Sequence, residues 1–322
     1  MAPAPTIDVQ GASRSYGRTI AVDRLSLVVQ PGEIHALLGR NGAGKTTVLR
    51  MITGLVAPTA GVVRVQGVEV SGDVRAVCTV VGLVPSGDRS FYLRLSAVEN
   101  LMFFGRLHGL RKGHARQRAR DVLAEVGLSE AEIRRPMSGY SHGMQKRVSV
   151  ARALLTDPSV LLVDEATHDL DPDGATTVRS LVRAAADRGA AVLWATQRVE
   201  EVRGFADRVT LLEGGSVWFS GTVSELLARA GARRFVVALA PNGVGRLPPV
   251  ADLAAVLRDI GHITASGADD ASYLLALDDR TTLGDALGAL LATGVTVVGC
   301  RHERPEVEEA FLQILREPET TT

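Results

Sequence analysis

The 322 residues balance 36 Lys and Arg against 36 Asp and Glu, a formal net charge of +0, which argues against the basic excess of a general nucleic-acid binder. The chain is 46% hydrophobic, yet no window approaches the roughly 18 apolar residues of a membrane span, so it reads as two globular domains without a transmembrane helix. Cys78 and Cys300 lie far apart within apolar runs; they are expected as buried thiols in a reducing cytosol, not as a disulfide framework. Residues 1–5 show neither the basic nor the apolar region of a secretion signal.

In chain order, strand-like segments at 7–9, 25–29 and 62–65, punctuated by Gly and Pro, predict an antiparallel β-layer. Between them the apolar run 34–38 predicts a buried strand, then a Gly-rich loop, then a helix over 46–53. Residues 77–84 form another apolar, β-branched run. Helical spacing of apolar residues marks 98–107, 115–126 and 143–155 within a mostly helical region. Strands follow at 160–163, 191–195 and 209–212, with a helix over 175–186 between the first two. This alternation predicts a mostly parallel sheet with helices on its faces. The basic stretch 111–120 reads as a solvated helix face, with contact to a partner or a lipid headgroup as the alternative.

A second unit begins near residue 233. Strands at 235–240, 263–265, 273–277 and 295–298 and helices at 250–260 and 283–291 give the order β-α-β-β-α-β, the ferredoxin-like arrangement. Leu274 and Leu275 with Leu287 and Leu291 are expected in its core, and a last helix is expected over 307–315.

The chemistry concentrates in three places. Gly39 and Gly44 bracket four residues and precede Lys45 and Thr46, the phosphate-binding loop pattern between a strand and a helix. Glycines let the backbone approach a phosphate closely, and the freed N–H groups and the helix N-terminus favour negative charge. Lys45 would reach the β- and γ-phosphates and the Thr46 hydroxyl would ligate Mg2+. The strand 160–163 runs into Asp164 and Glu165; Asp164 would hold Mg2+ opposite Thr46, and Glu165 would polarise an attacking water. Ser141, before His142, Gly143 and a helix, can offer a hydroxyl to a phosphate or simply cap the helix.

The order of the phosphate loop, the run Tyr140-Ser141-His142-Gly143-Met144-Gln145 and the Asp164-Glu165 strand resembles the ATP-binding subunits of ATP-binding-cassette (ABC) transporters over about residues 6–230. The appended second unit, ending in residues 303–311, resembles the C-terminal extension of daunorubicin-resistance-type exporter ATPases. The resemblance implies an α/β P-loop ATPase core with a mostly parallel sheet, an antiparallel β-layer and a helical subdomain over about 91–155. The core domain would span 1–232 and a ferredoxin-like accessory domain 233–322. It implies ATP and Mg2+ as cofactors. Gly39, Asn41, Gly42, Gly44, Lys45, Thr46 and Thr47 would cradle the phosphates, Tyr16 would stack on adenine, and Thr46 and Asp164 would hold the metal. It also implies a homodimer in which Ser141, Gly143 and Gln145 of one copy serve the nucleotide of the other, with Asp171 on the loop that crosses between them. The partners would be integral-membrane transporter subunits and not nucleic acid, placing the protein in the cytoplasm, peripheral on the inner face of the cell membrane.

Two positions depart from the family. Its Gln after the strand at 80–84 is missing; Ser86 or Asp88 could meet a Mg2+-bound water there, or the segment is a plain turn. Its switch His is replaced by Gln197, which can donate a neutral hydrogen bond to the γ-phosphate but cannot become a cation or shuttle a proton. The expectation is an ATP-hydrolysing subunit that energises export, with Lys45, Glu165 and Gln197 as its catalytic groups and slow turnover. The alternative is a weakly hydrolysing regulatory cassette paired with a more active one.

Overall fold

Strands whose every residue is apolar suit a sheet buried on both faces. The computed structural model describes residues 4–87, 90–167, 170–226, 234–241, 247–266, 271–278 and 281–302, with only the backbone at Glu200 and His302. It builds a first unit from two sheets. Strands β1 (Ile7–Tyr16), β2 (Thr19–Val29), β4 (Ala60–Val65) and β5 (Val68–Glu69) form an antiparallel layer in the order β2-β1-β4-β5. The second sheet runs β10-β9-β3-β8-β7-β6, from β3 (Ile34–Gly39), β6 (Val81–Val84), β7 (Val160–Asp164), β8 (Ala191–Thr196), β9 (Arg208–Glu213) and β10 (Ser216–Thr222). All its pairings are parallel except β9 with β10.

The two-residue period of a strand explains why β7 is apolar from Val160 to Val163. Leu161 and Val163 enter one buried cluster, with Ile34, Val192 and Trp194 and the helical region. Val160 and Leu162 enter another, with Leu37, Leu193 and the antiparallel layer. Helix α1 (Lys45–Ile52) adds Val48, Leu49, Met51 and Ile52 to that second cluster. Burying each such side chain contributes about 1.5–3 kcal/mol before entropy is counted.

The apolar run 77–84 divides between two elements. Helix α2 (Val74–Val80) is capped by Asp73, which accepts from the Ala76 N–H at 3.0 Å, and β6 starts at Val81. The helical turn points Val77 inward and Cys78 outward. Cys300, on the last strand of the chain's second unit, is also exposed, so the expectation of two buried thiols is corrected; both are free.

Helices α3 (Ala97–Leu107), α4 (Lys112–Glu125), α5 (Glu130–Arg134) and α6 (His142–Ala153) form the helical subdomain, and α7 (Pro172–Asp187) follows β7. Ser96 with Glu99 and Ser129 with Glu132 make reciprocal capping boxes at α3 and α5. Those bonds hold both Glu carboxyls below their ordinary range. The Arg152 guanidinium, in the last turn of α6, lies 5.3 Å from the ring centre of Phe91 and 5.1 Å from that of Phe104.

The chain divides between Val223 and Ser224. In the second unit, β11 (Arg234–Pro241), β12 (Gly261–Ala265), β13 (Ser272–Leu277) and β14 (Val295–His302) pair antiparallel in the order β12-β13-β11-β14. Helices Val250–Val256 and Leu283–Ala292 complete β-α-β-β-α-β. Leu275 and Leu290 are fully buried, whereas Leu291, expected inside, is 52% exposed; the helix turns its neighbour to the core instead. The helix expected over 307–315 lies outside the described residues. No helix among the described residues is long and apolar enough to cross a membrane.

Candidate functional site

Because β3, β6, β7, β8 and β9 are parallel, the segments that follow them leave the sheet at one edge, where open α/β sheets bind ligands. The segment after β3 is the phosphate loop. An added Cβ at Gly44 would stand 2.4 Å from the Ala21 carbonyl oxygen, and its φ of +105° disfavours any side chain; at Gly39 a Cβ would meet the Leu212 carbonyl at 2.5 Å. Gly44→Ala is therefore expected to destabilise the protein by about 2–4 kcal/mol. Gly67→Ala, with φ +76° and nothing within 4 Å of the new Cβ, should cost less; urea unfolding of the pair checks the difference.

Lys45 is the first residue of α1 and is buried. Its Nζ donates to the Gly39 carbonyl at 2.6 Å and the Arg40 carbonyl at 3.1 Å, and lies 4.0 Å from Glu165 Oε1. Burial pulls its pKa below the ordinary lysine value, opposed by the nearby Glu165 and Asp164 carboxylates. The Thr46 hydroxyl donates to Asp164 Oδ2 at 2.9 Å. A hydroxyl and a carboxylate so close are hard oxygen ligands of the kind Mg2+ takes alongside phosphate oxygens, so these two side chains fit that ion. Thr47 follows on α1, half-buried.

Glu165 follows β7 with φ +50°, a left-handed backbone that costs a non-glycine residue about 1–3 kcal/mol. Its N–H donates to the Ala195 carbonyl at 3.0 Å, and its side chain stays partly exposed beside Lys45. Gln197 follows β8, the strand between β3 and β7. With Arg40, Asn41, Gly42, Ala43, Glu213 and Gly214 it lines an open cavity of about 550 Å³. The fold thus gathers Gly39, Asn41, Gly42, Gly44, Lys45, Thr46, Asp164, Glu165 and Gln197 at one edge.

Other expected residues stand on other elements. Tyr16 ends β1 with 43% of its surface exposed and Arg14 stacked 4.7 Å from its ring centre, so it is no core tyrosine. Ser141 caps α6 by accepting from the Met144 N–H at 3.2 Å, Gly143 lies in the first turn, and Gln145 donates to the Tyr140 carbonyl at 3.3 Å. Asp171 caps α7, accepting from the Gly174 N–H at 2.7 Å. Ser86 is exposed, and Asp88 lies outside the described residues.

Two contributors had no sequence pattern to reveal them. Lys146, on the buried side of α6, donates to the Pro85 carbonyl at 3.0 Å and the Ser86 carbonyl at 2.9 Å, tying the segment after β6 to the helix that Ser141 begins. Its only sequence signal is a lysine among the apolar positions of an amphipathic helix. Glu201 is a buried carboxylate bonded to Trp194 and Thr167.

A strand, glycine loop and helix bearing Lys-Thr, beside a strand ending Asp-Glu, define a P-loop nucleotide-binding protein. The ABC transporter family model matches residues 22–168. A daunorubicin resistance ATP-binding protein of Streptomyces coeruleorubidus is 35% identical over 309 residues, 96% of this chain and 95% of that protein. A Nod factor export ATP-binding protein of Paraburkholderia xenovorans is 38% identical over 230 residues, 70% of this chain and 74% of its own. Among solved structures, an ATP-binding subunit of an ABC transporter superposes with a TM-score of 0.65 at 25% identity, covering 70% of this chain and 93% of that one. A bacterial ABC transporter cassette solved as a dimer shares the fold, with a TM-score of 0.62 at 24% identity over 67% of this chain and 98% of the other. The chain belongs to the ATP-binding proteins of ABC transporters, a family that generally hydrolyses ATP.

Proposed function

We propose that this chain binds MgATP at the sheet edge and hydrolyses it to drive export through separate integral-membrane subunits, on the inner face of the cell membrane. The observation that carries the reading is the meeting of Thr46 with Asp164 and of Lys45 with Glu165 at the ends of β3 and β7, which β8 separates. Backbone N–H groups of the loop from Gly39 to Thr47 hold the phosphates, Lys45 leaves its loop carbonyls for the β- and γ-phosphates, and Tyr16 stacks on adenine. Thr46 and Asp164 hold Mg2+, which neutralises charge on the phosphates. Glu165 accepts a proton from the attacking water, and Gln197 donates a neutral hydrogen bond to the γ-phosphate.

Ser141, Gly143 and Gln145 serve the nucleotide of a second copy, giving a homodimer with two shared sites. Ser141 sits at the N-terminus of α6, which suits that role. The export direction is inferred from the relatives, a daunorubicin resistance ATP-binding protein and a Nod factor export ATP-binding protein. No nucleic-acid partner is proposed. The second unit is assigned the ferredoxin-like arrangement on its strand order, as an accessory domain over 233–322.

A second reading, a weakly hydrolysing regulatory cassette beside a more active one, is favoured by Gln197 and by the segment after β6, where Ser86 exposes its surface and no Gln follows. Phosphate release by the purified chain, measured beside its Glu165→Gln variant, separates hydrolysis from mere binding.

A further inference from the structure

Thr167 lies two residues beyond Glu165, and Glu201 lies four beyond Gln197 in the short 3-10 turn Val199–Glu201. The Thr167 hydroxyl donates to Glu201 Oε1 at 2.5 Å, and the Trp194 indole N–H donates to Glu201 Oε2 at 3.2 Å. The three side chains are 2%, 8% and 0% exposed for Thr167, Glu201 and Trp194. Trp194 is fixed in turn: it stands on β8 opposite Val163 of β7 and Ala36 of β3, with Phe205 edge-on at 5.0 Å. One buried carboxylate therefore joins the segment carrying Glu165, the segment carrying Gln197 and the strand between the phosphate loop and Asp164.

We propose that Glu201 is a positioning residue: through Thr167 and Trp194 it locks the Glu165 and Gln197 segments into one unit, so that both groups reach the γ-phosphate together. The inference rests on the reading of Glu165 and Gln197 given above. A carboxylate suits the task because each oxygen accepts one donor. A glutamine keeps both partners only as a neutral group, its oxygen taking the indole N–H and its N–H2 donating to a rotated Thr167 hydroxyl, so both contacts lose their charge assistance. A catalytic group shifted by about 1 Å can lose about a hundredfold in rate with its chemistry intact.

The test is steady-state MgATP hydrolysis, with MgATP affinity by calorimetry, for the full chain and for Glu201→Gln, Thr167→Val, Thr167→Ser and Glu165→Gln. Thr167→Val removes one bond and keeps the volume, so it carries the test even if position 201 tolerates no change. The expected result is kcat down about ten- to a hundredfold in Thr167→Val and by a smaller factor in Glu201→Gln, affinity within about threefold of the parent, and Thr167→Ser restored to the parental rate. Parental kcat in Thr167→Val and Glu201→Gln, with Glu165→Gln inactive, overturns the inference and leaves the functional reading standing. Equal losses of affinity and rate in Thr167→Val, which mark a role in folding alone, overturn it too. Parental turnover by Glu165→Gln refutes the functional reading instead, whatever position 201 does.

Discussion

Glu165→Gln is expected to lower steady-state ATP turnover about a hundred- to ten-thousandfold, the usual contribution of a general base, while ATP affinity stays within about threefold. The substitution keeps the side chain's size and its backbone, including the positive φ that aims it from the end of β7. Among the described residues, it removes a carboxylate beside Lys45 that is free to take a proton, whereas Asp164 is engaged with Thr46. It also removes a negative charge that opposes the lowering of the Lys45 pKa by burial. Phosphate release at saturating MgATP measures the effect. Turnover equal to the parent's would remove Glu165 from the mechanism.

The second large effect runs the other way. Gln197→His is expected to raise kcat about tenfold or more, because a charge-assisted bond to the γ-phosphate is worth about 1–3 kcal/mol in the transition state over a neutral one. Position 197 has the room, lining the open cavity beside Asn41 and Gly42. The gain carries a pH signature. A histidine titrates near its unperturbed pKa of about 6.5, so the variant should outpace the parent most below that pH and converge toward it as pH rises, whereas Gln197 has no proton to lose. A flat rate ratio from pH 5.5 to about 8.5 would show that residue 197 contributes no charge to the reaction.

Much of the architecture was legible because its strands are buried on both faces, which leaves long apolar runs bounded by Gly, Pro and charge. The phosphate loop and the Asp164-Glu165 strand end carry their chemistry in contiguous residues, so spacing alone locates them. The run 77–84 misled because Val77 and Val80 suit a helix as well as a strand, and the Asp73 cap that starts α2 lies outside the apolar pattern. Cys78 was misplaced with it. Leu291 was misplaced because adjacent leucines at 290 and 291 leave the helical register open by one step. Lys146 and Glu201 were invisible for a different reason. Their partners are backbone carbonyls and side chains 7 to 61 residues away, and such bonds follow from the tertiary fold rather than from any local pattern. The Ser141 cap was only half legible, since a cap and a phosphate donor call for the same hydroxyl, and the Asp171 cap was not read from the sequence.

The central claim is that the phosphate loop is half of a composite site completed by Ser141 of a second copy. Light scattering of the purified Glu165→Gln protein, which would bind ATP without consuming it, tests this most directly. With MgATP the mass should double from the 34.1 kDa of one chain, and adding Ser141→Arg to the same protein should return it to a single chain while the phosphate loop still binds ATP. A mass that stays at one chain with saturating MgATP would contradict the claim.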